Sequence, residues 1–243
     1  RKSCSPCGPL RFWASAVVCC LVLGAELNAL LEPVRKQIRL PHNYYYREMY
    51  LPQATSGPSA VAWTADGRSL IYAMQGKLSR LAVDDSVAEQ LTTGPGYDYQ
   101  PDVSPDGKRV VYVSYQHDAL ELWLLDLETL DRRPLLANGA VNVEPRWAPD
   151  GSRIAFVSTA YEGRFHVWTL EMPQPASAPA SQQGTRREER GTAVRLTEDV
   201  DSKLPRYYYS VYDHYLSPSW SPDGRSLILV SNRGSIWGTG GLW

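Results

Sequence analysis

The chain has 243 residues, enough for one large all-β domain, so its length alone does not require two domains. Its 25 basic and 26 acidic side chains nearly balance. This balance argues against a nucleic-acid surface, which depends on excess positive charge, so we expect no nucleic-acid partner. The 15 Tyr and 8 Trp, against 3 Phe, favour strands and half-buried surfaces, where one end of a ring packs and the other meets water.

Residues 1–29 have the pattern of an export signal. A positively charged start precedes an apolar run over residues 12–25, and a small-residue exit follows at Ala29. The pattern predicts a signal peptide or, if it is not cleaved, a membrane anchor. We therefore expect an exported protein, periplasmic or extracellular, that touches a membrane only through this segment. All four cysteines lie inside it, so the rest of the chain cannot contain a disulfide.

Residues 30–59 are predicted to be a linker that ends in an aromatic lead-in, and repeats follow over residues 60–243. Each repeat has an apolar residue, two small or loop residues, and then Asp-Gly, a pair typical of tight turns between strands. The apolar residues are Trp63, Val103, Trp147 and Trp220, and we expect all four to lie in the core between repeats. The first three copies are about 40 residues apart, a spacing typical of propeller blades.

Apolar segments around each Asp-Gly pair predict about four short strands per repeat and no helix after the signal region. The predicted strands cover residues 60–63, 69–74, 78–83, 89–92, 109–115, 120–126, 132–136, 153–159, 165–171, 193–197 and 226–232. Residues 173–192 are rich in Pro, Ala, Ser and Gln, so we expect a surface insertion there. The chain does not begin with Met and stops at Trp243 inside a repeat. We therefore expect a fragment with about three and a half blades of an open, all-β propeller.

The stretch Trp220-Ser-Pro-Asp-Gly-Arg225 resembles the TolB-type (WD40-like) repeat, which also occurs in the propellers of prolyl-oligopeptidase and dipeptidyl-peptidase relatives. A narrower resemblance is to exported bacterial proteins that carry such repeats in front of an amidohydrolase domain. The segments that carry it are residues 41–50, 94–101, 140–145, 231–234 and 237–241. This resemblance implies a metal-dependent hydrolase domain after Trp243. The metal ligands of that family have no counterparts in these 243 residues.

Residue patterns that signal catalysis are missing from the sequence. The nucleophile elbow Gly-x-Ser-x-Gly does not occur, and the four histidines are scattered over different repeats without the paired spacing of a metal site. Asp199 and Asp201 predict only a solvated turn, because the Gly and the terminal Glu of a calcium loop are lacking. We expect no catalytic residue, metal or cofactor in this part of the protein.

Polar and aromatic residues precede the inner strand of each repeat, where propeller loops lie at one end of the central channel. They are Tyr97, Asp98, Tyr99, Gln100, Asn142, Glu144, Asp213, His214 and Tyr215. Together they could hold a peptide terminus, a cation or a loop of a neighbouring domain. The alternative is that they hydrogen-bond adjacent blades and cover the channel, because buried polar groups need partners in any case.

One architecture supports many activities, so the fold alone does not predict the function. The prediction therefore also depends on the resemblance. We expect a non-catalytic propeller that is an interaction or access-gating module of a larger exported hydrolase of the amidohydrolase kind. Two alternatives stay open: a free-standing periplasmic protein-binding scaffold of the TolB kind, and the propeller of a serine peptidase. The expected partner is a missing C-terminal domain or another protein or peptide.

Overall fold

A computed structural model describes residues 57–172, 192–201, 203, 212–234 and 241–242. The predicted signal segment, most of the linker, all but the last residue of the predicted insertion over 173–192, and residues 207–209 lie outside the described residues. The described part consists of four antiparallel sheets that follow one another along the chain, each with its strands in sequential order. Among these residues no helix is both long enough and apolar enough to cross a membrane.

The first two sheets have four strands each. Blade 1 contains β1 (Pro58–Trp63), β2 (Ser69–Met74), β3 (Lys77–Ala82) and β4 (Glu89–Gln90). Blade 2 contains β5 (Tyr97–Val103), β6 (Arg109–Gln116), β7 (Ala119–Asp126) and β8 (Arg132–Leu136). The predicted strands of these repeats agree with the observed ones to within a few residues, except that β5 begins among the residues predicted to form a loop.

The last two sheets repeat the same topology. Blade 3 contains β9 (Asn142–Trp147), β10 (Arg153–Tyr161), β11 (Arg164–Glu171) and β12 (Ala193–Arg195). Blade 4 contains β13 (Tyr215–Trp220), β14 (Leu227–Ser231) and β15 (Gly241–Leu242). The prediction of an open, all-β propeller segment of four-stranded blades is confirmed.

The Asp-Gly turn between the first and second strands forms for local reasons. In blade 2, the Ser104 hydroxyl donates to Asp106 Oδ1 at 2.5 Å and accepts from the Arg109 N–H at 2.9 Å. Gly107 has a φ of 71°, a left-handed conformation that glycine adopts without a steric penalty. Its N–H donates to the Ser104 carbonyl at 2.8 Å and closes the turn. The short phrase around Asp-Gly thus encodes a hydrogen-bonded turn at the same point of each blade.

The blades stack face to face, as the burial of their second strands shows. In β10, residues 154–159 are all buried, because both faces of the sheet are covered by neighbouring blades. In β2 of blade 1, buried and partly buried residues alternate, as expected when only one face is covered. The main hydrophobic cluster joins Val113 of blade 2, Phe156 of blade 3 and Tyr215 of blade 4.

The four apolar residues before the Asp-Gly turns differ in exposure. Trp147 is buried, while Val103 and Trp220 are partly buried. Trp63, however, is 59% exposed. Among the described residues, Trp63 therefore lies outside the core between blades that was predicted for it.

Candidate functional site on the inner strands

The first strands of the blades, β1, β5, β9 and β13, lie side by side along the arc. Of the nine predicted site residues, Tyr97, Asp98, Tyr99, Gln100, Asn142, Glu144 and Tyr215 lie within these strands. The expectation that they form loops before the strands is wrong. Asp213 and His214 do precede β13. Each of β5, β9 and β13 contains a bulge, and its pairing with the second strand of the blade continues on both sides of that bulge.

Two of the predicted residues, Asp98 and Asn142, occupy equivalent buried positions in blades 2 and 3. Asp98 is fully buried and accepts from the Ser114 hydroxyl at 2.7 Å, with Arg132 Nη1 at 3.5 Å. Asn142 is also fully buried and accepts from the Ser158 hydroxyl at 2.8 Å. These side chains hold the first strand of a blade to the second. Their placement corresponds to the alternative that such groups serve the packing of the propeller.

Gln100 and Glu144 are brought together, although they are 44 residues apart in sequence. Each has a positive φ, at 50° and 55°, and each lies at an irregularity in the pairing of its strand. Ser217 is the third member of the series, with a φ of 51° at the matching irregularity of β13. Bulges of this kind redirect side chains out of the regular alternation of a strand.

The bulged side chains connect one blade to the next. Gln100 Oε1 accepts from the backbone N–H of Glu144 at 2.9 Å. The Glu144 carboxylate in turn accepts from the backbone N–H of Ser217 in blade 4. Both Gln100 and Glu144 are half-buried. We call the series Gln100, Glu144 and Ser217 the inner ladder.

A second contact runs parallel to the inner ladder. Asp102 Oδ2 accepts from the backbone N–H of Trp147 in the next blade at 2.6 Å. Arg146 Nη1 lies 3.8 Å from Asp102 Oδ1. Burial nevertheless raises the pKa of Asp102 to about 6, because the loss of water outweighs the Trp147 N–H and the Arg146 charge. The interface between blades 2 and 3 therefore contains a carboxyl group that titrates near pH 6.

Two predicted tyrosines lie beside the inner ladder. Tyr97 and Tyr99 meet edge to face with centroids 6.1 Å apart. Tyr97 also lies against Gly76, where an added Cβ would be only 2.6 Å from the ring. Burial raises the pKa of Tyr99, and the nearby Glu144 charge adds to this effect. The aromatic pair and the Glu144 carboxylate thus form one half-buried group at the start of the inner strands.

The remaining predicted residues belong to the interface between blades 3 and 4. The His214 N–H donates to Asn232 Oδ1 at 2.8 Å. Tyr215 is buried and stacks on His166 with centroids 5.9 Å apart. These residues are therefore separated from Tyr97 and Asp98 by a whole blade, and the structure does not bring the nine together at one point.

Sequence reasoning missed a polar cluster around His166. The fully buried His166 ring has Asp199 Oδ1 at 3.1 Å from Nε2 and Thr197 Oγ1 at 2.9 Å from Nδ1. Asp199 also pairs with Arg164. Burial lowers the pKa of His166, although Asp199 opposes the shift. The prediction of a solvated turn is therefore wrong for Asp199, whose side chain is only 20% exposed.

The contacts from Thr197 to His166 and from His166 to Asp199 resemble those of a nucleophile, a base and an acid. An equivalent threonine in blade 1, however, indicates that Thr197 serves packing. Thr197 Oγ1 accepts from the backbone N–H of Val167 at 3.1 Å. Thr92 makes the same bond to the Leu78 N–H at 3.0 Å in blade 1, with no histidine at the corresponding place. The repeated Leu-Thr pairs at Leu91 and Leu196 were the sequence signal for this position. Within the described residues no three His, Cys, Asp or Glu side chains form a group that could hold a metal.

Comparison with protein families identifies the repeats. The family described as the TolB beta propeller domain matches residues 46–193. The chain belongs to this family. The resemblance to TolB-type repeats is thereby confirmed over more than half of the sequence.

Similar proteins share the fold over part of their length. Dipeptidyl-peptidase 5 of Porphyromonas gingivalis is 29% identical over 136 residues, which cover 48% of this chain and 20% of that protein. An uncharacterized protein of Agrobacterium fabrum is 30% identical over 175 residues, covering 69% of this chain and 53% of that protein. The crystal structure of TolB from Acinetobacter baumannii matches with a TM-score of 0.57 at 19% identity, over 77% of this chain and 43% of TolB. The chain thus spans about half of these relatives or less.

Proposed function

We propose that this propeller is a non-catalytic interaction and access-gating module of a larger exported hydrolase. The observation that carries the proposal is the inner ladder, in which half-buried Gln100 and Glu144 bind main-chain N–H groups across blades. The first strands of blades border the central channel of a propeller. On this proposal the acceptor side chains and the two tyrosines beside them border the channel. Their oxygens have lone pairs beyond those used within the inner ladder, and these would suit the N–H groups or the amino terminus of an extended peptide.

The class of hydrolase is proposed from the sequence segments that resemble amidohydrolase-associated proteins. On this proposal the partner is a C-terminal domain of the same protein or a protein or peptide that reaches the channel. The propeller itself takes no cofactor, and the metal of the hydrolase is bound by the other domain. The signal-like residues 1–29 support export to the periplasm or the cell exterior.

A second candidate is the propeller of a serine peptidase. It is favoured by the match to dipeptidyl-peptidase 5, of which this chain covers 20%. The two candidates predict the same kind of propeller and differ in the domain attached to it. The third alternative, a free-standing scaffold, is supported by a match to the Tol-Pal system protein TolB of Aromatoleum aromaticum. That match is 32% identical over 84 residues, which cover 35% of this chain and 18% of that protein.

Peptide binding tests the interaction role. Fluorescent hexapeptides of mixed sequence, with free or acetylated amino termini, are titrated against the protein and followed by anisotropy. Glu144→Gln keeps an oxygen that accepts from the Ser217 N–H but removes the charge, so binding of the free-amine peptides should weaken at least about fivefold. The matched control is Glu128→Gln, an exposed position on the β7–β8 turn. Equal binding by wild type and Glu144→Gln, or no binding by either, would contradict the proposal.

A further inference from the structure

The free edge of β9, on the side away from β10, is covered by two side chains of blade 2. The Glu144 N–H donates to Gln100 Oε1 at 2.9 Å, and the Trp147 N–H donates to Asp102 Oδ2 at 2.6 Å. The edge of a sheet otherwise presents unpaired N–H and C=O groups to any extended chain that reaches it. At these two positions, blade 2 therefore closes the edge of blade 3 to a peptide.

Backbone pairing directs the corresponding N–H group of blade 2 the same way. The Ala148 N–H donates to β10 at 2.8 Å, so the N–H of the preceding residue, Trp147, is directed away from β10. The Ser104 N–H makes the same bond to β6 at 2.8 Å. The Val103 N–H is therefore directed away from β6, toward the free edge of β5.

A second N–H group of β5 follows from the bulge. Gln100 has a φ of 50° and Glu144 a φ of 55°, and each lies at the pairing irregularity of its strand. The shared backbone geometry gives the Gln100 N–H the orientation of the Glu144 N–H, which is bound by the preceding blade. For Gln100 the preceding blade is blade 1.

Blade 1 has no acceptor at the position that corresponds to Asp102. Ala62 precedes Trp63 in the register in which Asp102 precedes Val103. The strand partner of Ala62 is Ile71, which belongs to a hydrophobic cluster that blades 1 and 2 share. Partners in a sheet lie on the same face, so Ala62 faces blade 2. Its methyl group stands where Asp102 has a carboxylate.

Blade 1 also lacks a counterpart of the Gln100 side chain. The pairs of β1 run without a shift over residues 60–63, so there is no bulge to direct a side chain across the junction. Among the described residues, neither the Gln100 N–H nor the Val103 N–H has an acceptor in blade 1. The junction between blades 3 and 4 differs, because Glu144 accepts from the Ser217 N–H there. We call the N–H groups of Gln100 and Val103 the β5 edge.

The spacing of the β5 edge matches an extended peptide. From Tyr99 to Asp102, three steps along β5 span only two residues of β6. The bulge thereby brings the Gln100 and Val103 N–H groups to about 7 Å, the length of two strand residues. Alternate carbonyl oxygens of an extended peptide point to one side at the same repeat.

The charge around the β5 edge favours a neutral acceptor. Asp102 directly precedes Val103, and the N–H of Glu144 is bound to the side chain of Gln100. Two carboxyl groups of blades 2 and 3 therefore lie near the edge, and they would repel an anionic ligand. A main-chain carbonyl oxygen meets no such repulsion.

We propose that the β5 edge binds two alternate main-chain carbonyl oxygens of an extended peptide. The inference rests on the proposed function, since it takes peptide binding at the inner strands and adds the place where the carbonyl groups are bound. The inner ladder offers acceptors to a peptide, whereas the β5 edge offers donors. Binding at the β5 edge therefore needs neither a free amino terminus nor a free carboxyl terminus.

Peptides with both termini blocked test this inference. Acetylated and amidated hexapeptides of mixed sequence, with a fluorophore on a lysine side chain, are titrated against the protein and followed by anisotropy. Ala62→Asp gives the Val103 N–H the acceptor that Asp102 gives to Trp147, so binding should weaken about fivefold, the loss expected for one hydrogen bond. Ala62→Asn should act in the same way without adding charge.

Ala62→Val is the matched control, because it adds similar bulk without an acceptor, and it should change the affinity by less than about twofold. Circular dichroism checks that the three variants fold. Unchanged binding by Ala62→Asp, an equal loss in Ala62→Val, or no binding of blocked peptides by the wild type overturns the inference. Blocked peptides should bind Glu144→Gln as they bind the wild type. If only the free-amine peptides fail to respond to Glu144→Gln, the role of Glu144 in the proposed function fails and the β5 edge stands.

Hydrogen exchange tests the β5 edge in the wild type without any substitution. Mass spectrometry with residue-level fragmentation should show the Val103 amide exchanging at least about tenfold faster than the Trp147 amide, because only the latter has an acceptor. Saturating blocked peptide should slow exchange at both Gln100 and Val103, whereas Ala62→Asp should slow it at Val103 alone. Equal protection of Val103 and Trp147 in the free protein would overturn the inference.

Discussion

Asp102 shows how a single side chain makes the junction between blades 2 and 3 sensitive to pH. Its carboxylate accepts from the Trp147 N–H, yet burial raises its pKa to about 6. The folded protein therefore binds a proton at Asp102 over a pH range in which the unfolded chain, with a pKa of 3.8, has released it. Stability from this group is present at low pH and is lost as the pH rises from about 4 through about 6.

Replacing Asp102 by Asn should remove this loss of stability at higher pH, because the amide does not titrate. Relative to Asp102→Asn, the wild-type free energy of unfolding should fall by about 1–3 kcal/mol between pH 4 and pH 7. Urea denaturation at a series of pH values measures the difference. Asp126→Asn is the control with the opposite sign, because backbone N–H groups of Thr129 and Glu128 lower the pKa of Asp126. A constant difference between wild type and Asp102→Asn would show that Asp102 is not desolvated.

The buried pair of Asp98 and Ser114 predicts a second effect. Ser114→Ala removes the 2.7 Å hydrogen bond and leaves a fully buried carboxyl group with only the more distant Arg132. The free energy of unfolding should fall by about 1–3 kcal/mol, the usual consequence of depriving a buried polar group of a partner. Ser86→Ala, in an exposed loop, is the control and should change stability by less than about 0.5 kcal/mol. Equal stabilities of the two variants would contradict the assigned role of Asp98.

The individual strands were predictable to very different degrees. The Asp-Gly turns and the strands that flank them depend on residues within about ten positions, so local patterns were sufficient. The inner ladder depends on hydrogen bonds between residues 44 and 73 positions apart. The bulges at Gln100, Glu144 and Ser217 have no signal in simple alternation, although each is followed by proline. The sequence therefore indicated which strands carry the polar residues but not which of them meet.

The bulge at Glu144 directs its side chain to the next blade, so two substitutions of Glu144 should differ in their effect on stability. Glu144→Ala leaves the Ser217 N–H without its acceptor, whereas Glu144→Gln supplies an amide oxygen in its place. We expect Glu144→Ala to lower the free energy of unfolding by about 0.5–1.5 kcal/mol and Glu144→Gln to lower it by less. Thermal denaturation at neutral pH compares them. The reverse order would contradict the inner ladder.

Blades with two covered faces should be more protected than blades with one. In the 243-residue chain, amides of residues 110–113 and 154–157 should exchange with deuterium more slowly than those of residues 70–73 and 228–230. Hydrogen exchange with mass spectrometry measures this difference. Uniform exchange over all four blades of the 243-residue chain would contradict independent stacking of blades.

At the scale of the whole molecule, the repeats could be predicted from the sequence. The contacts between the inner strands could not, because they depend on how neighbouring blades pack. The central claim, a non-catalytic module of a larger hydrolase, is tested most directly by reading the gene beyond Trp243. If the proposed function holds, we expect the gene to encode a further domain with the paired His-x-His of a metal hydrolase. A Gly-x-Ser-x-Gly elbow in that domain would favour the serine peptidase over the amidohydrolase as the class of hydrolase. A stop codon after two or three more blades, with no hydrolase domain on either side, would contradict the claim.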